Sequence, residues 1–593
     1  MKRSAVSPCG RGLRPSAPQV SLSPVGGAFA VDSDRAGHPK SFIVYHSSLR
    51  RGLIASSGNL CYNTAMNCEM RDNISASYNF RELRTTRGIY VDKTAFLHRL
   101  VTWRLKKSFI VTRPRRFGKS LMISTLQHIL EGHKELFRGL YIAEKTDYDW
   151  PKVPTVSFTL AQVNNECVDA LKAALVKMVR EAFPERVFDR MPASYQEPED
   201  VFRYAIMHMA AEGKPIAVLI DEYDWPIGHA LGNPELAERL REVMYRFYHT
   251  LKTREDDICF LMMTGISRFS KLSVFSGLNN LTDLNNDDSF ATLFGYTETE
   301  LDAYFGEHMK AHAEKMGLSD VCYRQELKHW FNGYCFGKES EKVYNPYSIA
   351  TVLSLKSRVF GSDWSQSGRS TMLVNFLKQN VDCLSFDING DVYASPDELL
   401  NTFDLSGLSP LAMLYQCGYL TVSRYLWDDG IYVLHIPDEE IRRDLNKLLF
   451  ALYIKKSEAD RTTLRMLFYA DDMPKFLETL QAHYKALVHG PTEQVQEFSY
   501  QRALQFFFLA EGMPVRVETP DCDGKRSDMI VERKNRVYVF EFKVDEGADI
   551  ALKQILDRDY MGPYRLPGNE ITLIGLSFKR DSHKLQEFAI ERL

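Results

Sequence analysis

Three short stretches carry residue types able to hold phosphate, bind a divalent ion or activate water. The first is Phe109-Ile-Val-Thr-Arg-Pro-Arg-Arg-Phe-Gly-Lys-Ser120, an apolar run that ends in a basic turn and opens into helical sequence at Leu121. Gly118 lets the backbone come close to an oxygen, Lys119 can reach the β and γ phosphates of a nucleotide, and the Ser120 hydroxyl can hold Mg2+ at a helix N-terminus. This is the chemistry of a phosphate-binding loop for ATP. In the pattern G-x-x-x-x-G-K-[ST], Arg113 stands where the first glycine falls, so the turn is made with Pro114. Arg115 and Arg116 either contact phosphate or face its solvent.

The second stretch, Ile216-Ala-Val-Leu-Ile-Asp-Glu-Tyr-Asp224, is a run of buried-strand residues closed by carboxylates. A strand this apolar fits the interior of a parallel sheet covered on both faces. At its carboxyl end Asp221 would bind Mg2+ directly or through water, Glu222 would polarise the attacking water, and Asp224 reads as an orienting or structural carboxylate. The plainer reading is a core strand followed by a solvated acidic turn.

The third stretch pairs Gly524-Lys-Arg-Ser-Asp-Met-Ile-Val-Glu532 with Arg536-Val-Tyr-Val-Phe-Glu-Phe-Lys-Val544. Glu541 and Lys543 are two apart on a strand and share one face, with Phe540 and Phe542 on the other. Asp528 begins the preceding strand of the hairpin and arrives beside them. Asp528 and Glu541 can chelate Mg2+ or Mn2+, and the Lys543 ammonium can position the hydrolytic water. An ordinary surface ion pair is the alternative.

The elements needed to position these groups follow from the pattern between them. After the loop helix, Val153 to Leu160 reads as a second strand, helices follow near Glu166 to Ala182 and Pro198 to Ala211, and a helix from Pro234 precedes a strand from Ile258 to Thr264. Such alternation implies a doubly wound α/β sheet. The segment from Thr264 begins at the carboxyl end of a strand, where open sheets place ligands. Thr264 or Ser267 is thus a candidate sensor of the γ phosphate, and Arg268 a candidate arginine finger; a Ser-rich surface loop is the competing reading. Residues 298–459 are largely helical by period. The run from Ser409 through Gly418-Tyr-Leu-Thr-Val-Ser423 and Gly430-Ile-Tyr-Val-Leu-His435 to Pro437 suggests a helix, a hairpin and a helix, a winged-helix-like lid.

Six ordered motifs, Tyr90-Val-Asp-Lys-Thr94, Arg113-Pro-Arg-Arg-Phe-Gly-Lys-Ser-Leu121, Leu219-Ile-Asp-Glu-Tyr-Asp224, Thr264-Gly-Ile-Ser-Arg268, Phe275-Ser-Gly-Leu-Asn-Asn280 and Tyr344-Asn-Pro-Tyr347, resemble the prokaryotic AAA-ATPase-like family. The resemblance implies a P-loop ATPase domain and makes Arg113 a family trait. The Asp528, Glu541, Lys543 pattern after a helix resembles the PD-(D/E)xK nuclease superfamily, which commonly follows such an ATPase. Glu497 and Tyr500 match a motif of that family in which Gln501 replaces a histidine, and Gln554 with Tyr560 fits its Gln-containing helix. The expected architecture is therefore α/β and multidomain: an extension over 1–75, the P-loop ATPase over 76–297, the lid over 298–459 and a nuclease-like domain over 460–593.

Composition sets the remaining bounds. With 593 residues, 45% hydrophobic and 25% charged content and a net charge of -3, the chain has no global basic excess, so any nucleic-acid site must be local. Its 10 cysteines form no C-x-x-C pair or zinc-spaced cluster, which reads as reduced thiols in a cytoplasmic protein. No apolar run of about 18 residues offers a membrane span. Residues 1–75 are rich in Ser, Pro, Gly and Arg and read as disordered, either a transit peptide or an upstream extension with Met70 as the working start. Two functions follow: an ATPase controlling a Mg2+- or Mn2+-dependent nuclease that acts on DNA or RNA, or an ATP-dependent switch whose C-terminal fold only binds nucleic acid or a protein partner. Oligomerisation stays open.

Overall fold

In the computed structural model, residues 74 and 77–593 are described, apart from 162, 211–213, 269–280, 355–359, 362–370, 381–388, 401–408, 455–457, 485–496, 518–526 and 581–583. The N-terminal extension expected over 1–75 therefore lies almost wholly outside the described residues, as does the Phe275–Asn280 motif.

The loop and the acidic stretch sit on neighbouring parts of one sheet. Its strands are β1 (Ser108–Thr112), β2 (Thr155–Thr159), β3 (Ile216–Asp221), β4 (Ile258–Gly265) and β5 (Thr282–Asp283). They lie in the order β2-β3-β4-β1-β5, and every pairing is parallel. All five residues of β1 and all six of β3 are buried, as continuous apolar runs require when helices cover both faces. Their carboxyl ends consequently share one edge with β4, and Thr264 of β4 pairs with Val111 of β1. The two-residue β5 was absent from the expected elements because it is too short to show a period.

Beyond this sheet, β6 (Asn332–Tyr334) and β7 (Val343–Tyr344) form a ribbon. Strands β8 (Val392–Ala394), β9 (Thr421–Leu426) and β10 (Ile431–His435) form a small antiparallel sheet in the order β8-β10-β9. The helices Pro410–Gln416 and Glu439–Ile454 flank the β9–β10 hairpin, giving the helix, hairpin and helix read from the sequence. This module packs on the loop region: Tyr334 Oη donates to the Gly418 carbonyl at 3.0 Å, and the Phe117 and Tyr334 rings meet edge to face at 4.7 Å.

The C-terminal sheet contains β11 (Val515–Val517), β12 (Met529–Arg533), β13 (Arg536–Val544), β14 (Glu570–Lys579) and β15 (Lys584–Arg592), adjacent in that order. Strands β12 and β13 make an antiparallel hairpin, while β13 and β14 are parallel. The helix Ala548–Arg558 makes the crossover that a parallel pair demands. That helix runs very close to β14 at Gly575, where an added Cβ would stand 2.4 Å from the Ala548 carbonyl oxygen and 2.9 Å from Leu552 N. One cluster of buried residues extends from Phe80 to Leu585. Phe450 against Phe507 at 5.5 Å is one of its links between the winged module and the C-terminal helix Glu497–Ala510.

Candidate functional sites

Gly118 caps the helix Lys119–Leu130 with φ 93°, a left-handed conformation natural to glycine. A Cβ there would meet nothing within 4 Å, so the glycine is needed for its backbone rather than for space. Arg116, at φ 71°, carries the same turn without being glycine. The chain thereby delivers Lys119 and Ser120 to the first turn of the helix.

Lys119 is buried, and its Nζ donates to the carbonyls of Arg113 at 2.9 Å and Pro114 at 2.8 Å. Burial pulls its ammonium below the ordinary lysine value; Glu222, Asp221 and Asp224 oppose this and Arg115 adds to it. Ser120 Oγ donates to Asp221 Oδ2 at 2.5 Å, and Thr264 Oγ1 donates to the other oxygen of the same carboxylate. Two adjacent oxygen donors at a phosphate loop fit a hard divalent cation such as Mg2+.

Glu222 follows at φ 52°, in the left-handed region that non-glycine residues seldom occupy. Burial raises its carboxyl above the usual range, Lys119 works against that, and Asp221 and Asp224 add to it. Asp224 takes a different part: it accepts from Ile266 N, from Ser267 N at 2.7 Å and from Ser267 Oγ at 2.6 Å. Asp224 thus ties the ends of β3 and β4 together, and Ser267 is committed to it. Gly265 makes this approach possible, since a Cβ there would lie 2.6 Å from Asp224 Oδ1.

The two candidate arginines are both buried. Arg113 donates to Thr112 O at 2.8 Å and Asn285 Oδ1 at 2.5 Å and lies 4.4 Å from the Phe336 ring centroid. Arg268 donates its backbone N–H to Gln416 Oε1 at 3.0 Å, and its Nη1 lies 3.5 Å from Asn286 Oδ1.

A cavity of about 520 Å3 opens beside the loop, lined by Arg115 to Met122, Glu222 and Trp225 and also by Tyr90, Val91, Tyr296 and Tyr347. Its size suits a small-molecule ligand. Thr264, Ser267, Arg113 and Arg268 lie outside this lining, while Arg115 and Arg116 belong to it, with Arg116 stacked 4.0 Å over Tyr347. The aromatic wall had no assigned role in the sequence, although Tyr90 and Tyr347 stand inside two of its six motifs.

The C-terminal site is built on the β12–β13 hairpin. Glu541 is 1% exposed; its Oε1 accepts from Lys543 Nζ at 3.1 Å and from Gln554 Nε2. Its Oε2 is buried with no hydrogen-bond partner among the described residues, a state that costs about 1–3 kcal/mol when unrelieved. Asp528 Oδ2 accepts from Phe542 N at 2.7 Å, and Gln501 Nε2 donates to the Asp528 carbonyl. Burial, with Asp528 adding and Lys543 opposing, pushes the Glu541 carboxyl up to about 7. An orphaned carboxylate oxygen beside a second carboxylate and an ammonium fits a divalent metal held by oxygen ligands. Gln554 also reaches Tyr560 Oη at 3.4 Å. The side chains of Glu497 and Tyr500 lie outside the described residues.

A parallel sheet with a phosphate loop beside an acidic strand end, joined to a mixed sheet with an Asp, Glu and Lys hairpin, defines a P-loop ATPase-like protein with a nuclease-fold domain. Residues 76–275 match the family described as "Predicted AAA-ATPase", and residues 495–588 match the "PD-(D/E)XK nuclease superfamily". The chain is also 32% identical over 521 residues to "Uncharacterized protein in vnfD 5'region" of Azotobacter chroococcum mcd 1, covering 85% of this chain and 95% of that protein. The chain belongs to the AAA-ATPase-like family and carries a C-terminal domain of the PD-(D/E)XK superfamily. No described helix is long and apolar enough to cross a membrane.

Proposed function

We propose that this protein hydrolyses ATP at the Lys119–Ser120 loop and that its nucleotide state governs a Mg2+- or Mn2+-dependent nuclease centre acting on DNA or RNA in the cytoplasm. The observation that carries the nuclease reading is the unpartnered, buried Glu541 Oε2 beside Asp528 and Lys543. For the ATPase half the support is the Ser120–Asp221 contact with Glu222 on the cavity wall.

In this reading the Lys119 ammonium exchanges its two carbonyl bonds for phosphate oxygens. Glu222 accepts a proton from the attacking water, and Thr264 holds Asp221 in place. At the C-terminal centre Asp528 and Glu541 hold the ion, Gln554 fixes the Glu541 carboxylate, and Lys543 orients water and offsets developing phosphate charge. A bound divalent ion would neutralise the scissile phosphate and acidify water. Communication between the centres would have a physical route: Arg268, in the segment just past β4, donates its backbone N–H to Gln416 of the winged module, which packs on the C-terminal domain through Phe450 and Phe507.

The test is to incubate purified full-length protein with Mg2+ or Mn2+, with and without ATP, and with labelled single- and double-stranded DNA and RNA. Cleavage that needs metal, changes with ATP and disappears in Asp528→Ala supports the proposal. Metal binding without cleavage of any substrate would overturn the nuclease half and leave an ATP-governed binding module.

A further inference from the structure

The far end of the phosphate-loop helix carries a second cluster of ligating groups, unrelated to either centre above. The helix Lys119–Leu130 ends in Glu131, followed by Gly132 in the left-handed region at φ 77°. Gly132 N donates to Ile129 O at 3.1 Å and His133 N donates to His128 O at 3.0 Å. These two bonds form a Schellman helix end, which brings together the side chains of the residue after the glycine and of the residue five before it. That pair is commonly apolar. Here it is His133 and His128, with ring centroids 5.3 Å apart.

Glu131 lies between them. Its Oε2 is 3.6 Å from His128 Nδ1 and 3.2 Å from His133 Nε2, and one ligand atom from each of the three residues falls within 4.8 Å of the other two. Nitrogen and oxygen ligands at 2.0–2.1 Å around a tetrahedral ion stand roughly 3.4 Å apart, so the two measured separations already bracket the edge such an ion needs. His128 Nδ1 is buried and has no hydrogen-bond partner among the described residues. The surrounding groups complete the pattern of a ligand shell. Gln127 Nε2 donates to Glu131 Oε1 at 2.8 Å, and Glu135 Oε1 lies 3.4 Å from His133 Nδ1, the ring nitrogen facing away from the cluster. A carboxylate on the distal nitrogen of a ligating histidine fixes its tautomer and orientation. The helix C-terminus adds partial negative charge that favours a cation.

We propose that His128, Glu131 and His133 bind one first-row transition-metal ion of the Zn2+ or Co2+ class, and that Glu135 orients His133. Two imidazoles and a carboxylate select such an ion over Mg2+. It would staple the end of the helix that presents Lys119 and Ser120 to the turn Lys134–Phe137.

The test uses full-length protein carrying Asp528→Ala and Glu541→Ala, so that the C-terminal centre cannot take the metal, in excess Mg2+. Co2+ is titrated in while its visible absorption is followed, Zn2+ is titrated calorimetrically, and thermal melting is recorded with and without each ion. One equivalent should bind and raise the Tm. His133→Ala, whose side chain is 37% exposed in the parent, should keep the metal-free fold while losing the absorption band and the Tm rise. Glu135→Gln should keep the stoichiometry and weaken affinity about tenfold or more. Absence of binding with both ions in molar excess would overturn the proposal, as would an unchanged band in folded His133→Ala. Either result would reduce the cluster to histidine–carboxylate ion pairs.

Discussion

The Ser120 hydroxyl rests on Asp221 Oδ2 at 2.5 Å, across a sequence separation of 101 residues. Because Thr264 holds the other oxygen of that carboxylate, the three strand ends of β1, β3 and β4 converge on one acid. The cation site proposed at Ser120 and Asp221 would therefore be positioned by the sheet. Only the lysine has to change partners.

Lys119→Ala is expected to lower ATP affinity at least about 100-fold, since charge-assisted hydrogen bonds contribute about 1.5–3 kcal/mol each and Lys119 is the ammonium inside the loop. The fold should hold, because the helix Lys119–Leu130 and strands β1 and β3 are packed through their apolar side chains rather than through the lysine. Calorimetric ATP titration decides this, and unchanged affinity would remove the loop from the nucleotide site.

Glu222→Gln should leave ATP binding within a few-fold of wild type and slow hydrolysis by about 100- to 10,000-fold, the range for a lost general base. Asp221→Asn should also spare the sheet while weakening Mg2+ dependence. Single-turnover phosphate release with bound-nucleotide measurements separates the two. Equal loss of binding and turnover in Glu222→Gln would assign that carboxylate a structural part at its left-handed position.

Gly575→Ala should destabilise the C-terminal domain by roughly 1–3 kcal/mol, the usual cost of overpacking. The new methyl would meet backbone atoms of Ala548 and Leu552, which cannot rotate away. Since Gly575 is paired with Glu541 in the β13–β14 register, displacement of the helix would also move Gln554 off Glu541. Denaturant melts should show a lower midpoint with the slope unchanged; a wild-type midpoint would mean the helix adjusts freely.

How far these features can be read from the sequence differs by kind. Strands β1 and β3 are legible because a continuous apolar run closed by Lys-Ser or Asp-Glu has few other homes than a covered parallel strand. The shared face of Glu541 and Lys543 follows from the two-residue period alone. Partner choice over long distances is another matter. Nothing near Arg113 announces that Phe336 and Asn285 will enclose it, and nothing near Ser267 shows that Asp224 will claim its hydroxyl. Those pairings depend on how whole elements dock, as does the gathering of Tyr90, Tyr296 and Tyr347 around the cavity beside the loop. The histidine pair at the end of the loop helix lies between: a Glu-Gly-His sequence signals the helix stop, while the closeness of His128 and His133 needs the observed hydrogen bonds.

Glu541 makes the C-terminal centre pH-dependent in a defined direction. Its carboxyl is raised from 4.5 to about 7 by burial first and by Asp528 second, so between those values the folded protein holds a proton that the unfolded chain releases. The resulting stability is fully present below about 4.5 and is lost as pH rises through about 7, for a total of roughly 3 kcal/mol at 1.36 kcal/mol per unit. Divalent metal bound at the proposed Asp528–Glu541 site should reverse the trend, because it would need the ionised carboxylate and would displace that proton. Mn2+ affinity should climb with pH and level off above about 7, with proton release seen as a buffer-dependent binding enthalpy below that point. The metal-induced rise in Tm should accordingly be larger at pH 8 than at pH 6. Glu541→Gln should abolish both the proton release and the metal-induced rise while leaving the metal-free protein more stable than wild type at pH 8. Lys543→Ala should retain metal binding and slow cleavage, since in the proposed mechanism its ammonium acts on water and phosphate rather than on the ion. A metal affinity that does not vary between pH 6 and pH 8 would show that Glu541 is not a ligand.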